Sequence, residues 1–361
     1  MKCLDAPRAT MTASRGIVIA VLVLAFNELS LRSAAWNDAQ LLDKAAYDFV
    51  LDRRHFDLTR DQLIVLGEQE YRRIEREMIA LARTIDPSKT WHEILRRFEQ
   101  TSHPKTTDAA IAAYTSELRR AKAFVLEKDL VTLPSAPELP VRETPPNLAK
   151  SVAYAIYMFG DDVLYVTLGT GTGGNQAEAL ETHNDALIAV AAAHEGYPGH
   201  RTQNLIRHLG RLSDDSETEI EGWGLYVEEL MLRAGFYDRK PPEEKLFALR
   251  MLLHRAARAF LDPKVHRRDF TQEQAVRFLA DNLGLSETRA RIEVTERYVN
   301  SPGSAATYLV GKRQIEQLRR QVKTVEGERF TLKSFHDRLL AAGAVPVQRI
   351  ARQVFHMELE S

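Results

Sequence analysis

The sequence predicts a mainly α-helical protein with a small β hairpin or sheet, and three observations carry this prediction. Apolar residues recur at helical spacing over 38–128 and again from residue 178 to the end of the chain. Between these parts, the segments 151–159 and 162–169 are rich in Val, Ile, Tyr and Phe and predict a hairpin. Residues 134–146 hold five prolines, which predict an extended connector because proline fixes φ and cannot continue a helix.

The helical prediction rests on apolar stripes, in which residues three or four positions apart share one face. The stripes are Trp91, Ile94, Leu95 and Phe98; Tyr71, Ile74, Met78 and Leu81; and Leu246, Leu249, Leu253, Ala257 and Phe260. We expect these side chains to lie in the core. Thr271 and Gln274 have the spacing of a capping box, which predicts that a helix begins there.

The first 35 residues have the pattern of a signal peptide. Basic residues precede the apolar run 16–26, which is too short for a comfortable membrane span. Small side chains at Ser33 and Ala35 predict cleavage before Trp36. We therefore expect a periplasmic or secreted protein with residues 36–361 as one domain. The alternative is an uncleaved anchor, the one case in which a membrane would be a partner.

Composition narrows the classes of function. The chain has 361 residues with 49 basic and 50 acidic side chains, and we find no basic block along it. A nucleic-acid partner is therefore not expected. The one cysteine, Cys3, precedes the predicted cleavage point, so disulfides and a cysteine nucleophile are excluded after cleavage.

The stretch "AAAHEGYPGH", residues 191–200, raises the question of a metal site. His194 and Glu195 begin like the H-E-x-x-H motif, whose histidines lie four residues apart on one helix face, but proline occupies position 198. The next histidine, His200, is six residues from His194 and would point about 240° away on a regular helix. Pro198 and Gly199 favour a bulge or break there, which would return His200 to the face of His194.

A third ligand is expected from the segment "ETEIEGWGLYVEELM". Glu221 and Glu228 lie seven residues apart, on one face of a predicted helix. We assign Glu221 as the ligand and Glu228 as a support that orients a histidine or the bound water. In the alternative interpretation both glutamates are solvated surface charges. Two imidazoles and a carboxylate suit one Zn²⁺ ion best, although manganese, iron or cobalt accept similar ligands. Glu195, about 100° from His194, suits a general base.

Several motifs in order then identify a resemblance to a known family. They are "HEGYPGH", "EGWGLYVEEL", "RAARAFLD", "ERYVNSPGSAATYLVG" and "FHDRLLAAGAVP". They resemble the bacterial family called domain of unknown function 885, most clearly over residues 150–350, and this family is similar to zinc metallopeptidases whose third ligand is a glutamate. The resemblance implies a helical metallopeptidase-like fold with His194, His200 and Glu221 as metal ligands and Glu195 as the base. Members are usually longer ahead of the histidine motif.

The resemblance also implies further site residues. Tyr308 and His266 are candidates to stabilise the oxyanion opposite the metal, and Tyr298 is a further catalytic candidate. Either tyrosine could instead be a core phenol with a hydrogen-bond partner. Arg297 is a candidate to bind a substrate carboxylate, or it pairs with a helix-end glutamate.

The leading hypothesis is an exported zinc-dependent peptidase that hydrolyses peptide or related amide bonds through a metal-activated water. The edge of the strand at 163–169 could pair with an extended peptide substrate. Two alternatives remain open: a non-catalytic binding protein on the same fold, and a metal-dependent hydrolase of another ester or amide bond.

Overall fold

The computed structural model describes residues 40–149, 152, 154–169, 176–207 and 216–359. The predicted signal peptide, 1–35, lies outside these residues. Within them, no helix combines the length and the apolar character that a membrane crossing needs.

Four helices form the N-terminal part: α1 (Lys44–Arg53), α2 (Arg60–Ile85), α3 (Trp91–Thr101) and α4 (Thr107–Glu127). Capping boxes begin α2 at Thr59 and α3 at Thr90, where each threonine accepts from the backbone N–H three residues on. The predicted stripe of α3 is fully buried. In α2, Tyr71, Ile74 and Met78 are buried as predicted, whereas Leu81 is half-buried against the core.

A three-stranded sheet follows, formed by β1 (Val141–Glu143), β2 (Ala155–Met158) and β3 (Val163–Val166). The predicted hairpin is confirmed, because β2 pairs antiparallel with β3. The sequence did not predict β1, which lies in the proline-rich connector and pairs parallel with β3. The strand order is β1-β3-β2, so β3 is central. The prediction that the edge at 163–169 receives a peptide is therefore wrong, because both edges of β3 are already paired.

The described residues from 176 onward are mostly helical, as predicted. The α-helices are α5 (Gln176–Thr182), α6 (Asp185–Ala191), α7 (His200–Arg207), α8 (Glu217–Arg233), α9 (Pro242–Arg267), α10 (Gln272–Leu283), α11 (Glu287–Ile292), α12 (Thr307–Glu326), α13 (Leu332–Ala341) and α14 (Val347–Val354). Two π-helices, Ala192–Gly196 and Glu293–Val299, extend α6 and α11, and short 3₁₀ turns lie at Ser304–Ala306 and Gly327–Arg329.

A large hydrophobic core joins the two helical parts, with members from Ile64 in α2 to Phe355 after α14. A smaller cluster, which includes Tyr47 and Leu309, also joins the two parts. Helix α9 packs along α2, and α8 packs along α12. The predicted stripe of α9 is buried in full. The predicted capping box of Thr271 with Gln274 is confirmed at the start of α10. This packing fixes α8 beside the π-helix Ala192–Gly196, which brings the histidine motif and the glutamate motif together.

Candidate metal centre

The backbone around the histidine motif leaves regular helical geometry twice. Helix α6 begins at its Asn184 cap, passes into the π-helix Ala192–Gly196, and ends; α7 then begins at His200. Both the bulge and the break that the Pro198–Gly199 pair favours are therefore present, with the bulge one turn earlier than the proline. A π-helix accommodates one extra residue per turn and often lies at functional sites.

The turn between the two helices depends on Gly199. A Cβ at this position would lie 1.7 Å from the carbonyl oxygen of His194, so only glycine fits. Trp223 of α8 donates its indole N–H to the carbonyl of Pro198 at 3.0 Å. The turn is thus held by α8, the helix that also carries Glu221.

His194, His200 and Glu221 converge on one point. Oε2 of Glu221 lies 3.5 Å from Nε2 of His194 and 3.6 Å from Nε2 of His200. The two imidazole rings are almost perpendicular, with centroids 4.7 Å apart. We compared the His, Cys, Asp and Glu side chains of the described residues. These three form the group whose ligand atoms lie close enough together to share a metal ion.

The distances from Oε2 of Glu221 to the two imidazole nitrogens fit a bound zinc ion better than they fit direct hydrogen bonds. Oε2 of Glu221 is buried and has no hydrogen-bond partner in the described structure. Leaving a buried carboxylate oxygen unpaired is costly unless a cation satisfies it. Tetrahedral zinc with bonds near 2.1 Å separates its ligand atoms by about 3.4 Å, close to the two observed distances.

The electrostatics of the cluster favour a shared positive charge. Burial would lower the pKa of His194, but the Glu221 and Glu228 carboxylates outweigh it and raise that pKa to about 10. Burial would likewise raise the pKa of Glu221, yet His194 and His200 hold it well below its ordinary value. A metal ion would supply that positive charge while leaving both imidazoles neutral.

Glu228 and Gly224 position the His194 ring, and Glu228 does so as assigned from the sequence. Nδ1 of His194 donates to Oε1 of buried Glu228 at 2.7 Å, which directs Nε2 toward Glu221. Burial would raise the pKa of Glu228, but Arg255 and His194 lower it, so the carboxylate stays charged. Gly224 leaves the space that the imidazole occupies.

His200 has its own support, which sequence reasoning missed. Nδ1 of His200 donates to Oε1 of Gln203 at 3.2 Å, and Nε2 of Gln203 donates to Glu219 at 3.1 Å. All three side chains are buried. The spacing of three residues between His200 and Gln203 was a usable signal, because such residues are neighbours on a helix.

Glu195 lies beside the cluster, half-buried on the π-helix. Its Oε2 accepts the backbone N–H of Tyr157 at 2.8 Å. This N–H points outward from β2, on the side away from β3. The sheet thus fixes the carboxylate that the sequence assigned as a general base.

Tyr308, at the start of α12, faces His194. Their rings are nearly parallel, with centroids 6.3 Å apart, and the tyrosine is 8% exposed. Burial and the Glu221 carboxylate raise the pKa of Tyr308 to about 12, although nearby arginines oppose the rise. The phenol therefore keeps its proton at neutral pH and is available as a donor.

Two other candidates lie in structural positions, which corrects their assignment. Nδ1 of His266 accepts the backbone N–H of Leu42 at 2.9 Å, and its Nε2 donates to the carbonyl of Tyr298 at 2.8 Å. With both ring nitrogens occupied by backbone groups, His266 has none left for an oxyanion. Tyr298 is fully buried, with a hydroxyl that has no partner within the described residues, so it is a core phenol.

Arg297, the candidate for substrate binding, keeps both interpretations. Its side chain is 41% exposed, and its Nε lies 3.6 Å from Oε2 of Glu293, one turn earlier on the second π-helix. Pairing with a glutamate was the alternative interpretation of Arg297. The distance between Arg297 and Glu293 is, however, too long for a hydrogen bond.

Solved structures of other proteins share this fold, and two of them are the following. One is described as a candidate lipoprotein from Colwellia psychrerythraea; the TM-score is 0.74 at 22% identity, over 86% of this chain and 55% of that one. The other is described as a candidate lipoprotein of unknown function from Shewanella oneidensis; the TM-score is 0.74 at 24% identity, over 91% of this chain and 62% of that one. The chain thus spans less than two thirds of either structure.

A comparison with curated proteins gives no match. Residues 26–354 do match a family, and it is the one that the sequence motifs resemble. The match spans both helical parts, the sheet and the three candidate ligands, His194, His200 and Glu221. The chain therefore belongs to the family described as "Bacterial protein of unknown function (DUF885)".

Proposed function

We propose that this protein is a zinc-dependent hydrolase of peptide or related amide bonds. The observation that carries the proposal is the buried, unpartnered Oε2 of Glu221, which lies 3.5 and 3.6 Å from two imidazole nitrogens. Two imidazoles and one carboxylate form the protein ligand set of catalytic zinc sites that keep a fourth position open. The nearby glutamate and tyrosine add a base and a donor.

The residues around the ligands have distinct tasks. When bound, zinc would polarise the scissile carbonyl and lower the pKa of a water molecule. Glu195 would receive the proton of that water on Oε1, because Oε2 already accepts the Tyr157 N–H. The Tyr308 hydroxyl would donate to the oxygen that gains negative charge. Glu228 and Gln203 keep the two imidazoles aimed at Glu221.

We also propose that the protein is exported. Residues 1–35 have the order of a signal peptide, with basic residues, an apolar run and small side chains before the predicted cleavage point. Both similar solved structures are described as candidate lipoproteins, which supports export. Cys3 precedes the apolar run, whereas a lipid-bearing cysteine would follow it. Cleavage would therefore release the protein into the periplasm or the medium.

The first experiment measures metal content in four purified proteins. Wild type is expected to hold about one zinc per chain, whereas His194→Ala and Glu221→Gln lose it. Glu217→Gln is the matched control, because Glu217 lies on the same helix but is exposed and pairs with Arg54. Equal metal content in wild type and His194→Ala would contradict the site.

The second experiment separates catalysis from binding. Glu195→Gln is expected to retain zinc but to lose metal-dependent hydrolysis of a peptide library by at least about 10²-fold, since a general base contributes a factor of this order. Small esters are assayed in parallel, with and without chelator. Cleavage of esters without cleavage of peptides would favour the alternative of a metal-dependent hydrolase of another bond. Zinc without any turnover would favour the non-catalytic binding protein.

A further inference from the structure

Two arginines beside the candidate metal centre lack the hydrogen bonds that buried arginines normally make. A guanidinium carries five N–H donors. Arg255 of α9 is 12% exposed, its Nε is buried without a partner, and its nearest carboxylate oxygen is Oε1 of Glu228 at 3.6 Å. That oxygen already accepts a hydrogen bond from His194.

Arg297 is in a similar position. Its nearest carboxylate is Oε2 of Glu293 at 3.6 Å, and this oxygen already accepts from Nη2 of Arg258 at 2.9 Å. Arg258 holds Glu293 with two parallel hydrogen bonds, which is the strongest geometry for this pair. The carboxylate is therefore engaged, and Arg297 is left with free donors at a surface that is 41% exposed.

Elsewhere the fold gives a buried arginine four hydrogen bonds. Arg201 is fully buried and donates to both carboxylate oxygens of Asp162, to the hydroxyl of Tyr197 and to the carbonyl of Pro137. Arg60, at the start of α2, also has a buried Nε without a hydrogen-bond partner, so an unpaired donor alone does not mark a binding site. Arg255 differs from Arg60 because it lies beside the hydrogen-bonded pair of His194 and Glu228.

Arg255 and its neighbour Arg258 lie beside Tyr308, the ring that faces His194. The guanidinium carbon of Arg255 is 5.5 Å from the Tyr308 centroid, and that of Arg258 is 5.4 Å away. Arg297 is within electrostatic reach of Tyr308 and of Glu221. A substrate group held by Arg255 or Arg297 would thus lie on the Tyr308 side of the cluster.

This side of the cluster would carry a net positive charge once a metal ion is bound. Arg255, Arg258 and Arg297 face two carboxylates, Glu228 and Glu293. His254, which is buried in the same group, stays neutral, because burial and Arg258 lower its pKa well below its ordinary value. Glu221, which is within electrostatic reach of Arg297, is a third carboxylate, so three arginines and three carboxylates balance before any ion is bound. A metal ion would then leave this side with a net positive charge. Such a surface favours an anionic substrate group.

We propose that Arg255 and Arg297 bind a free carboxylate of the substrate, so that the enzyme removes residues from the carboxyl end of peptides or cleaves beside an acidic residue. The inference rests on the proposed hydrolase function and names its substrate class. The planar guanidinium matches a carboxylate with two parallel hydrogen bonds, which an exposed lysine would not supply. Neutral peptides lacking such a carboxylate leave the arginines unpaired.

The test uses two pools of N-acetylated tripeptides that contain all residue types, one with free carboxyl ends and one with carboxamide ends. Wild type is expected to cleave the free acids with a kcat/KM at least tenfold higher than the amides, in a chelator-sensitive reaction. If the carboxamides that are cleaved carry Asp or Glu after the cleaved bond, the recognised carboxylate is that of the side chain. Equal cleavage of acids and amides, irrespective of acidic residues, overturns the inference while leaving the zinc hydrolase standing.

Variants then assign the residues. Arg255→Gln and Arg297→Gln are expected to raise KM for the preferred substrates at least tenfold while zinc content stays unchanged. Arg267→Gln is the matched control on α9, since this arginine pairs with Asp61 and Asp269 away from the cluster. The comparison of acids with amides needs wild type alone, so a variant that fails to fold does not remove the test. Absence of metal-dependent cleavage in either pool would overturn both the inference and the peptidase proposal.

Discussion

The imidazole of His194 lies directly against Gly224: a Cβ at position 224 would come within 2.5 Å of the ring Cε1. Helix α8 therefore approaches the histidine more closely than any other residue type would permit. The same helix carries Glu221 and Glu228, which contact the two nitrogens of this ring. The second glycine of "EGWGLYVEEL" thus makes room for His194 in the candidate metal centre.

Gly224→Ala is expected to lose most of its zinc, because the added methyl group must displace either the imidazole or the helix. Overpacking of this kind costs about 1–3 kcal/mol of stability. Metal analysis and denaturant unfolding measure the two effects. Gly160→Ala is the control, since a Cβ there meets no atom within 4 Å. Full zinc occupancy in Gly224→Ala would show that His194 is not held where a ligand must be.

The charge of Glu228 is expected to strengthen metal binding through His194. Glu228→Gln retains an acceptor for Nδ1 but removes the charge, so zinc affinity should fall by about tenfold, within the range measured for such supporting carboxylates. Competition with a chromophoric chelator gives the affinity. Glu229→Gln controls for charge loss, because Glu229 pairs with Lys312 and Arg73 instead. If both variants weaken zinc equally, the effect is general electrostatics and not the hydrogen bond.

Tyr308 is expected to act in the reaction and not in metal binding. Tyr308→Phe should lower kcat by about 10²-fold, the order found when a donor to an oxyanion is removed, with zinc content and KM nearly unchanged. Tyr298→Phe provides the comparison: its hydroxyl is fully buried and unpartnered, so the variant should keep its activity. Similar kcat values for wild type and Tyr308→Phe would remove this tyrosine from the mechanism.

The local sequence pattern was sufficient to predict most helices, the hairpin and some contacts of the candidate metal centre. The hairpin, the α3 stripe and the capping box at Thr271 depend on residues close in sequence, and each is present as predicted. Glu228 could be predicted to orient a histidine because it lies seven residues after Glu221, on the same face of the helix. In the structure it accepts a hydrogen bond from His194.

Contacts between distant segments were beyond sequence reasoning. The bond from Tyr157 to Glu195 joins a strand edge to a π-helix, and no local pattern encodes it. His266 was misassigned because only the resemblance to the family suggested its catalytic place, whereas its partners Leu42 and Tyr298 are set by tertiary packing. Strand β1 was missed because prolines mark extended backbone without indicating what it pairs with.

His336 gives the fold a pH dependence that can be isolated. The buried ring donates from Nδ1 to the carbonyl of Leu130 at 2.6 Å and accepts at Nε2 from the hydroxyl of Tyr226 at 2.8 Å. This arrangement requires the neutral imidazole. Burial lowers the pKa of His336 to about 4, against 6.5 for the unperturbed side chain.

The sign of the effect follows from the lowered pKa. In the unfolded chain His336 binds a proton below pH 6.5. In the folded protein it binds this proton only when the pH falls to about 4. The contribution of this residue to stability is therefore complete above pH 6.5 and is lost as the pH falls toward 4, by about 2 kcal/mol between pH 7 and pH 5.

His336→Gln is expected to be less stable than wild type at pH 7, with a difference that shrinks by about 2 kcal/mol at pH 5, because glutamine has no such proton to bind. Urea unfolding at both pH values measures this difference, with chelator present so that metal release does not contribute. The exposed His356, changed to Asn, is the control and should leave the pH dependence as in wild type. A difference that stays constant from pH 7 to pH 5 would mean that folded His336 accepts its proton as readily as the unfolded chain does.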